Sequence, residues 1–372
     1  MITFNPDKFG YYQVGDRKTY RKLEALEWSN QTNIAPRWNF NDEIFSQYDW
    51  KTEPDIDLWE LYKERARQIR NSYDYCVIFY SGGSDSHNLL NAWIEADCKI
   101  DEIATTWNYK TTGELYNHQN AEITHVVLPD IKALQNKGYD FKFRLIEIPE
   151  ISLKLFEDWG LNFEYYINFH PSINNPAKHL FRKYIDDYKN MISQGKRVCF
   201  IWGKEKPNIN FINKQYQFNF LDNADNCVGS LCQDNYYNGW YDEFFYWSPD
   251  CPLIPIKQSH IIKNFLNVCD IDNFYTNKVN NNGYNPRLNK YLTEEILKTL
   301  LYPKWSNSIY CNGKTATGFI FSERDEWFYQ SKDPLVKKYH GIIETFTSKL
   351  EDKYIEQRTN LLPFYSKRYC LQ

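Results

Sequence analysis

A compact apolar run covers residues 73–80 and has the length of a strand. It passes directly into the small residues Ser81, Gly82, Gly83, Ser84, Asp85 and Ser86, after which apolar side chains recur at helical spacing as far as residue 96. This pattern predicts a strand, a tight loop and a helix. Adjacent glycines let the backbone approach a ligand closely, and the helix directs its free N–H groups and positive dipole end at that ligand. The pattern therefore favours a bound anion, above all a phosphate.

The same alternation of apolar runs and helical spacing continues on both sides of this stretch. Strands are predicted at 99–107, at 141–148 before Pro149, and at 197–202. Helices are predicted at 18–28, from 57 to the central strand, at 114–137 with a break or kink at Pro129, and at 177–194. Strands that alternate with helices predict an α/β fold, a parallel twisted sheet with helices on both faces. Ligands bind such sheets at the carboxyl ends of the strands, where the central loop lies.

The pattern loosens beyond residue 207. An edge strand is predicted at 244–247, and helices at 256–269, 293–301 and 333–357, with a flexible loop at 280–286. This pattern divides the chain into three parts. They are an N-terminal extension at 1–56, an α/β domain at 57–270, and a mainly helical C-terminal region at 271–372.

Composition excludes several classes of protein. The 372 residues are 42% hydrophobic and 25% charged, which is typical of a globular protein with a sizeable core, and most of the 18% aromatic content is expected in that core. A net charge of -4 argues against a general nucleic-acid coat, although a local basic patch for tRNA or DNA stays open. Without a basic, apolar leader or a membrane-length run, we expect a cytoplasmic protein without a membrane partner. Nine scattered cysteines without a Cys-x-x-Cys pair predict buried thiols rather than a zinc site.

The loop matches Ser-Gly-Gly-x-Asp-Ser at every position and resembles the PP-loop of the N-type ATP pyrophosphatases, whose fold is of the HUP or adenine nucleotide alpha hydrolase type. This superfamily includes the synthetase domain of asparagine synthetase, GMP synthetase, and tRNA-thiolating enzymes. The resemblance covers the six loop residues and their context. In length, aromatic richness and Asn/Lys/Tyr bias the chain also looks like phage-encoded proteins with this loop, which would place it in a host cytoplasm.

The resemblance implies roles for individual residues. The N–H groups of Gly82, Gly83 and Ser84, with the hydroxyls of Ser81 and Ser86, would cradle the β and γ phosphates of ATP. Asp85 would ligate Mg²⁺, directly or through water.

A second glycine-led motif comes after the strand at 197–202. Gly203, with Lys204 and Lys206 at the α phosphate, would form the second motif of the family, and a solvated charged turn closed by Pro207 is the alternative. Thr106 and Trp107 lie where such proteins contact adenine, and Trp107 either stacks on the base or belongs to the core.

The sequence contains three weaker candidates for a functional site. Gly313, Lys314 and Thr315 end like a Walker A loop, but its first glycine would fall at Ser308, so a hairpin turn is predicted instead. The lone histidines His170 and His260 are expected to be structural or surface residues. Lys257 and His260, on one face of a helix start, stay candidates for substrate contact.

The implied function is ATP- and Mg²⁺-dependent adenylation of an unidentified acceptor, with release of pyrophosphate and formation of an amide-type C–N bond. Ile2 after Met1 leaves no N-terminal cysteine for a glutaminase of the asparagine-synthetase type, so the amine would come from elsewhere. In this superfamily, nitrile synthases bind zinc through clustered cysteines, and some tRNA-thiolating enzymes hold an iron–sulfur cluster through Cys-x-x-Cys pairs. This sequence has neither pattern, which argues against nitrile synthesis and thiolation. Sulfur transfer or base modification by the same chemistry, and a non-catalytic nucleotide-binding protein, are the alternatives.

Overall fold

The computed structural model describes residues 9–20, 22–108, 120–159, 177–178, 180–204, 206–222, 239–268, 294–306, 308–309, 326–334, 336–341 and 364–372. The strands are β1 (Tyr11–Val14), β2 (Arg17–Thr19), β3 (Arg37–Asn39), β4 (Tyr75–Phe79), β5 (Glu102–Trp107), β6 (Lys142–Glu147), β7 (Val198–Trp202), β8 (Asn208–Ile212), β9 (Gln215–Asn219), β10 (Trp240–Phe244) and β11 (Tyr369–Leu371). The α-helices are α1 (Lys22–Thr32), α2 (Asp42–Phe45), α3 (Leu58–Ser72), α4 (Ser84–Glu95), α5 (Leu128–Asn136), α6 (Ile148–Trp159), α7 (Asp186–Ser193), α8 (Leu253–Val268), α9 (Glu294–Leu301) and α10 (Glu326–Gln330).

Five parallel strands form the central sheet in the order β10-β7-β4-β5-β6. All five residues of β7 are buried, as are four of the five in β4. Strands buried along their whole length belong to a sheet covered on both faces, and they read in sequence as continuous apolar runs. The predicted α/β fold with a parallel sheet is confirmed.

The strand order creates a switch point beside β4. The chain moves from β4 to β5 and β6 on one side, and then returns to pair β7 with the other side of β4. The connections that leave β4 and β7 therefore run in opposite directions, and a crevice opens at the carboxyl ends of these two strands. The loop at residues 81–86 lies at this crevice.

Helix α3 is held by a cap at its start and by a buried ion pair near its middle. Its N-cap residue Asp57 accepts hydrogen bonds from the N–H groups of Trp59 (2.8 Å) and Glu60 (3.3 Å). The buried Arg65 guanidinium lies 2.7 Å from the Glu243 carboxylate of the edge strand β10. Because a buried charge is costly unless paired, this ion pair specifies the position of the helix on β10.

The predicted helix at 18–28 is wrong at its start. Residues Arg17–Thr19 form β2, which pairs antiparallel with β1, and α1 begins only at Lys22. The turn between β1 and β2 begins at Gly15, whose φ of 58° is left-handed. Pairing with β1 has overridden the local helical pattern.

A second antiparallel sheet, of order β11-β9-β8, was not predicted. Its hairpin turns at Asn213 and Lys214, with φ values of 52° and 61°, as a two-residue hairpin of type I′ requires. The carboxyl-terminal strand β11 completes the sheet. The Trp50 ring stacks on Phe218 at 4.8 Å and on Tyr369 at 4.4 Å, which joins this sheet to the N-terminal extension.

Four further predictions need correction or refinement. The strand predicted at 141–148 ends at Glu147, and Pro149 lies in the first turn of the next helix, α6, where proline is tolerated because intrahelical bonding has not yet started. The predicted helix at 177–194 is divided into a 3₁₀ turn, Phe181–Tyr184, and α7. A π-helical turn at Ile123–Val127 leads into α5, and Pro129 lies in the first turn of that helix, where proline is tolerated, instead of breaking it. An edge strand is present, but it covers Trp240–Phe244, so the predicted position at 244–247 is wrong except for Phe244.

Helices α8 and α9 confirm the predictions at 256–269 and 293–301. Of the five described cysteines, Cys76 and Cys199 are buried as predicted, whereas Cys98 and Cys251 are half-buried and Cys370 is exposed. No helix in the described ranges is long and apolar enough to cross a membrane. The loop at 280–286, the hairpin at 312–313, His170, and most of the helix at 333–357 lie outside the described residues.

Candidate functional site

The central loop requires a glycine at position 82. Its φ of +81° is left-handed, and a Cβ atom there would lie 3.0 Å from the Glu122 carbonyl oxygen and 3.2 Å from Val127 Cγ2. Glu122 immediately precedes the π-helical turn and Val127 ends it, so the loop packs directly on that turn. A side chain at this position would cost conformational energy and also push the two segments apart.

Serine hydroxyls tie the loop to the start of α4. The Ser86 hydroxyl accepts from the Ser81 N–H at 3.1 Å and donates to the Gly83 carbonyl at 3.0 Å. The Ser81 and Ser86 hydroxyl oxygens lie 3.2 Å apart. These bonds fold the loop back on itself, so its own hydroxyls hold the backbone in a concave turn.

Helix α4 begins without a side-chain cap. Its N-cap residue is Gly83, with extended backbone and no side chain to accept a hydrogen bond from the first turn. The twelve residues of α4 add their peptide dipoles toward this end. An anion over the loop would supply the acceptor that Gly83 lacks.

A second loop, which begins at the end of β7, lies against the first turn of α4. A Cβ atom on Gly203 would lie 3.1 Å from the Asp85 carbonyl carbon and oxygen, and 3.2 Å from the Ser86 backbone nitrogen. The next residue, Lys204, is buried. The switch point therefore brings Gly203, the first residue of the turn after β7, into van der Waals contact with the start of α4.

Three side chains from distant parts of the sequence hold Asp85. The Lys206 ammonium lies 2.9 Å from both Asp85 carboxylate oxygens. The Tyr302 hydroxyl donates to Oδ1, and the Tyr246 hydroxyl donates to the Asp85 backbone carbonyl at 2.7 Å. Burial, together with the Asp85 charge, raises the pKa of Tyr246 and Tyr302 well above the ordinary value, so both stay protonated donors.

A second polar cluster is formed by Tyr80 just before the loop, His87 just after it, and Asp130 of α5. The Tyr80 hydroxyl donates to the Asp130 carboxylate and lies 3.0 Å from His87 Nδ1. Since its single hydrogen goes to Asp130, the Tyr80 oxygen accepts from His87, which places the imidazole proton on Nδ1. Trp305 packs edge-on against the His87 ring at 5.6 Å. Although burial alone would raise it, hydrogen bonds from His87 and Tyr80 lower the pKa of Asp130.

The carboxyl end of β5 borders the loop on this side. The Thr105 hydroxyl donates to the Tyr80 carbonyl at 2.6 Å. Thr106 and Trp107 come next and are half-buried, and Trp107 packs against the hydrophobic core. The predicted adenine-contacting residues thus lie at the same edge of the sheet as the loop, with Trp107 partly a core residue.

The other candidates for substrate contact lie elsewhere. The Lys257 ammonium is 2.7 Å from the Glu53 carboxylate and donates to the Pro54 carbonyl at 3.0 Å. His260 Nε2 lies 3.0 Å from the Trp50 carbonyl oxygen, and burial lowers the pKa of this imidazole. Both side chains attach α8 to the N-terminal extension. For His260 this confirms the expected structural role.

Sequence reasoning missed the partners of the central loop. No local pattern marked Tyr246, Tyr302, His87 or Asp130, although His87 directly follows the motif. Tyr302 is 217 residues from the carboxylate it binds, and only the folded chain brings the two together. The sequence did contain one signal for His87, because this residue lies in the first turn of a helix whose N-terminus was expected to bind an anion.

The donor set at Asp85 fits a magnesium ion that arrives with phosphates. Mg²⁺ is usually held by one or two carboxylates and by substrate phosphate oxygens rather than by a complete protein cage. Asp85 is 29% exposed and offers such a carboxylate. Over the part of the chain that the structure describes, no group of three or more His, Cys, Asp or Glu side chains forms a metal cage.

Neither a scan against models of known protein families nor a search of curated proteins returns a match to this chain. The function is therefore inferred from the geometry of the two loops at the switch point.

Proposed function

We propose that this protein is an ATP-dependent enzyme of the PP-loop type, with a HUP-like α/β domain, that adenylates an acceptor and releases pyrophosphate. The observation that carries the proposal is the position of the Ser-Gly-Gly-Ser-Asp-Ser loop. It lies after the central strand of a parallel sheet, at the switch point, and leads into a helix without a side-chain cap.

The charges around the loop support a polyphosphate ligand. Lys204 and Lys206 both lie in the turn after β7, and Lys206 contacts the first turn of α4. Together with the positive end of α4, these ammonium groups favour the negative charge that a triphosphate brings. The N–H groups of Gly82, Gly83 and Ser84 would cradle the β and γ phosphates.

The chemistry is cleavage of ATP between the α and β phosphates. An acceptor oxygen attacks the α phosphorus, the bond to the bridging oxygen breaks, and pyrophosphate leaves with the bonding electrons. Lys204 and Lys206 would stabilise charge on the α phosphate and the departing oxygen. Mg²⁺ held by Asp85 would supply charge neutralisation on the pyrophosphate. An amine then displaces AMP from the activated carbon, loses a proton, and forms the C–N bond.

The test is the product of ATP turnover. Incubation with ATP, Mg²⁺ and a panel of carboxylate and amine acceptors should yield AMP and pyrophosphate, and not ADP. Asp85→Asn should keep the fold and lower the rate by roughly 100-fold or more, because one metal ligand is removed while the loop keeps its shape. Pyrophosphate release at the parental rate would refute the role of Asp85.

Other results of the same assay identify the alternatives. A requirement for tRNA or DNA in pyrophosphate release would indicate base modification or sulfur transfer by the same adenylation step. Tight ATP binding without consumption, across the whole panel of acceptors, would indicate a nucleotide-binding protein without catalysis.

A further inference from the structure

The Lys206 ammonium occupies the position of a cation bound to Asp85. Its nitrogen is equidistant, at 2.9 Å, from the two carboxylate oxygens, which is the geometry of a bidentate ligand around a central ion. The ammonium also lies 5.8 Å from the centroid of the Tyr302 ring. The carboxylate that would hold a metal is thus already neutralised by a lysine.

We propose that Lys206 and a divalent cation compete for Asp85, and that a nucleotide ends the competition by drawing the ammonium onto its phosphates. This inference rests on the proposed function, since it concerns the same nucleotide site. It makes Lys206 a positioning residue for the metal, in addition to any contact with the α phosphate.

Electrostatics explains why the two cations exclude one another. An ammonium and a divalent ion on one carboxylate repel each other strongly at a separation of a few ångströms, and the site is only partly open to screening by water. Lysine carries its charge on a flexible four-carbon stem, so the ammonium moves several ångströms without a change in the backbone. Tyr302 donates to Oδ1 independently of Lys206 and keeps the carboxylate oriented after the ammonium leaves.

The consequence is cooperative binding of metal and nucleotide. Without nucleotide, a metal must displace Lys206 and binds weakly. With nucleotide, the ammonium has phosphate oxygens to pair with, so Asp85 becomes available. Linkage requires the reverse effect as well, so the metal strengthens nucleotide binding by the same factor.

The experiment measures binding rather than turnover. Mn²⁺, as a paramagnetic substitute for Mg²⁺, is titrated alone into the full chain and followed by electron paramagnetic resonance. The variant Lys206→Met should bind Mn²⁺ about tenfold more tightly than the parent, because the metal no longer displaces an ammonium. It should bind an α,β-methylene ATP analogue about tenfold more weakly, because the ammonium no longer pairs with the phosphates. Each tenfold change corresponds to about 1.4 kcal/mol of binding free energy. Opposite shifts in the two affinities are not expected from a purely structural lysine.

The chain offers a matched control in the pair formed by Lys257 and Glu53. This pair has a similar distance, 2.7 Å, and similar exposure, 16% and 34% against 15% and 29% for Lys206 and Asp85. Lys257→Met should leave both affinities unchanged. If Lys257→Met also tightens Mn²⁺ binding, then Mn²⁺ binds any carboxylate that has lost its lysine partner, and the specific competition at Asp85 would be refuted.

The outcomes separate this inference from the proposed function. Unchanged or weaker Mn²⁺ binding in Lys206→Met, while the ATP analogue still binds the parent, refutes the competition alone. Failure of the parent to bind the analogue refutes the proposed function. The double variant Asp85→Asn with Lys206→Met should lose the gain in Mn²⁺ affinity, and retention of that gain would place the metal elsewhere and refute the competition.

Discussion

Replacement of Gly82 by alanine tests the packing of the central loop most directly. The chain contains a second glycine, Gly195, that has the same φ as Gly82 but lacks its close neighbours. Gly82 and Gly195 both have a φ of +81°. A Cβ atom on Gly82 would meet three atoms at 3.0 to 3.3 Å, whereas one on Gly195 would meet nothing within 4 Å. Comparison of the two alanine variants therefore separates the free-energy cost of a Cβ atom on left-handed backbone from the cost of its close contacts.

Two contributions set the magnitudes. Gly195→Ala carries only the left-handed penalty of a residue with a Cβ atom, about 1 to 2 kcal/mol. Gly82→Ala carries the same penalty and must also separate the loop from the Glu122 carbonyl and the Val127 side chain, which adds about 1 to 3 kcal/mol. The free energy of unfolding should therefore fall by about 2 to 5 kcal/mol in Gly82→Ala.

Urea denaturation followed by circular dichroism measures the two losses, and calorimetric titration with pyrophosphate measures the effect on the site. Gly82→Ala should also weaken pyrophosphate binding, because the contacts shift the backbone of the loop, while Gly195→Ala should bind as the parent does. Equal losses of stability in the two variants would show that the loop does not pack on the π-helical turn, and the reasoning would fail.

Two further predictions concern the surroundings of the loop. Gly203→Ala should weaken binding of the ATP analogue about tenfold in calorimetry, because its Cβ atom would lie 3.1 Å from the Asp85 backbone and push the two loops apart; parental affinity would contradict this close contact. Asp130→Asn should lower stability by about 1 kcal/mol at pH 7 through weaker hydrogen bonds to Tyr80 and His87. Since the pKa of Asp130 is lowered from 3.8 by folding, its contribution is present above that value and is lost as the pH falls through the lowered pKa. The stability difference between the two proteins should therefore shrink in denaturation experiments as the pH is lowered below 3.8, and a difference that stays constant would contradict the ionic origin.

The sheet was predictable where burial on both faces produced continuous apolar runs. Strand β7 reads Val-Cys-Phe-Ile-Trp and is buried throughout, so its pattern has one interpretation. The hairpin of β8 and β9 was not predictable in this way, because its buried positions include polar residues. Asn208 and Asn210 both donate to the Asn219 side-chain carbonyl, at 2.5 and 2.9 Å. Buried amides that hydrogen-bond to one another inside a sheet leave no hydrophobic pattern in the sequence.

The candidate site was predictable in its loop and not in its supports. The small residues at 81–86 required a close backbone approach, and Gly82 provides it through a left-handed φ. Lys206 was marked by its glycine-led turn, but the other two donors to Asp85 are tyrosines, Tyr246 and Tyr302, whose neighbouring residues look like those of an ordinary hydrophobic core. In a chain with 18% aromatic residues, a tyrosine that binds a carboxylate has no local mark that separates it from the others.

The turn after α9 makes the C-terminal region part of the site. Tyr302 donates to the Asp85 carboxylate, and the carbonyl of the preceding residue, Leu301, accepts from the Tyr62 hydroxyl at 2.9 Å. Two residues further on, the Lys304 ammonium lies 2.8 Å from Glu95 at the far end of α4. These bonds attach one short turn to both α3 and α4, so a movement of α9 would be transmitted to the carboxylate. The region predicted to begin at residue 271 therefore contributes a residue to the loop's surroundings, and the orientation of Asp85 depends on a tyrosine 217 residues away in the sequence.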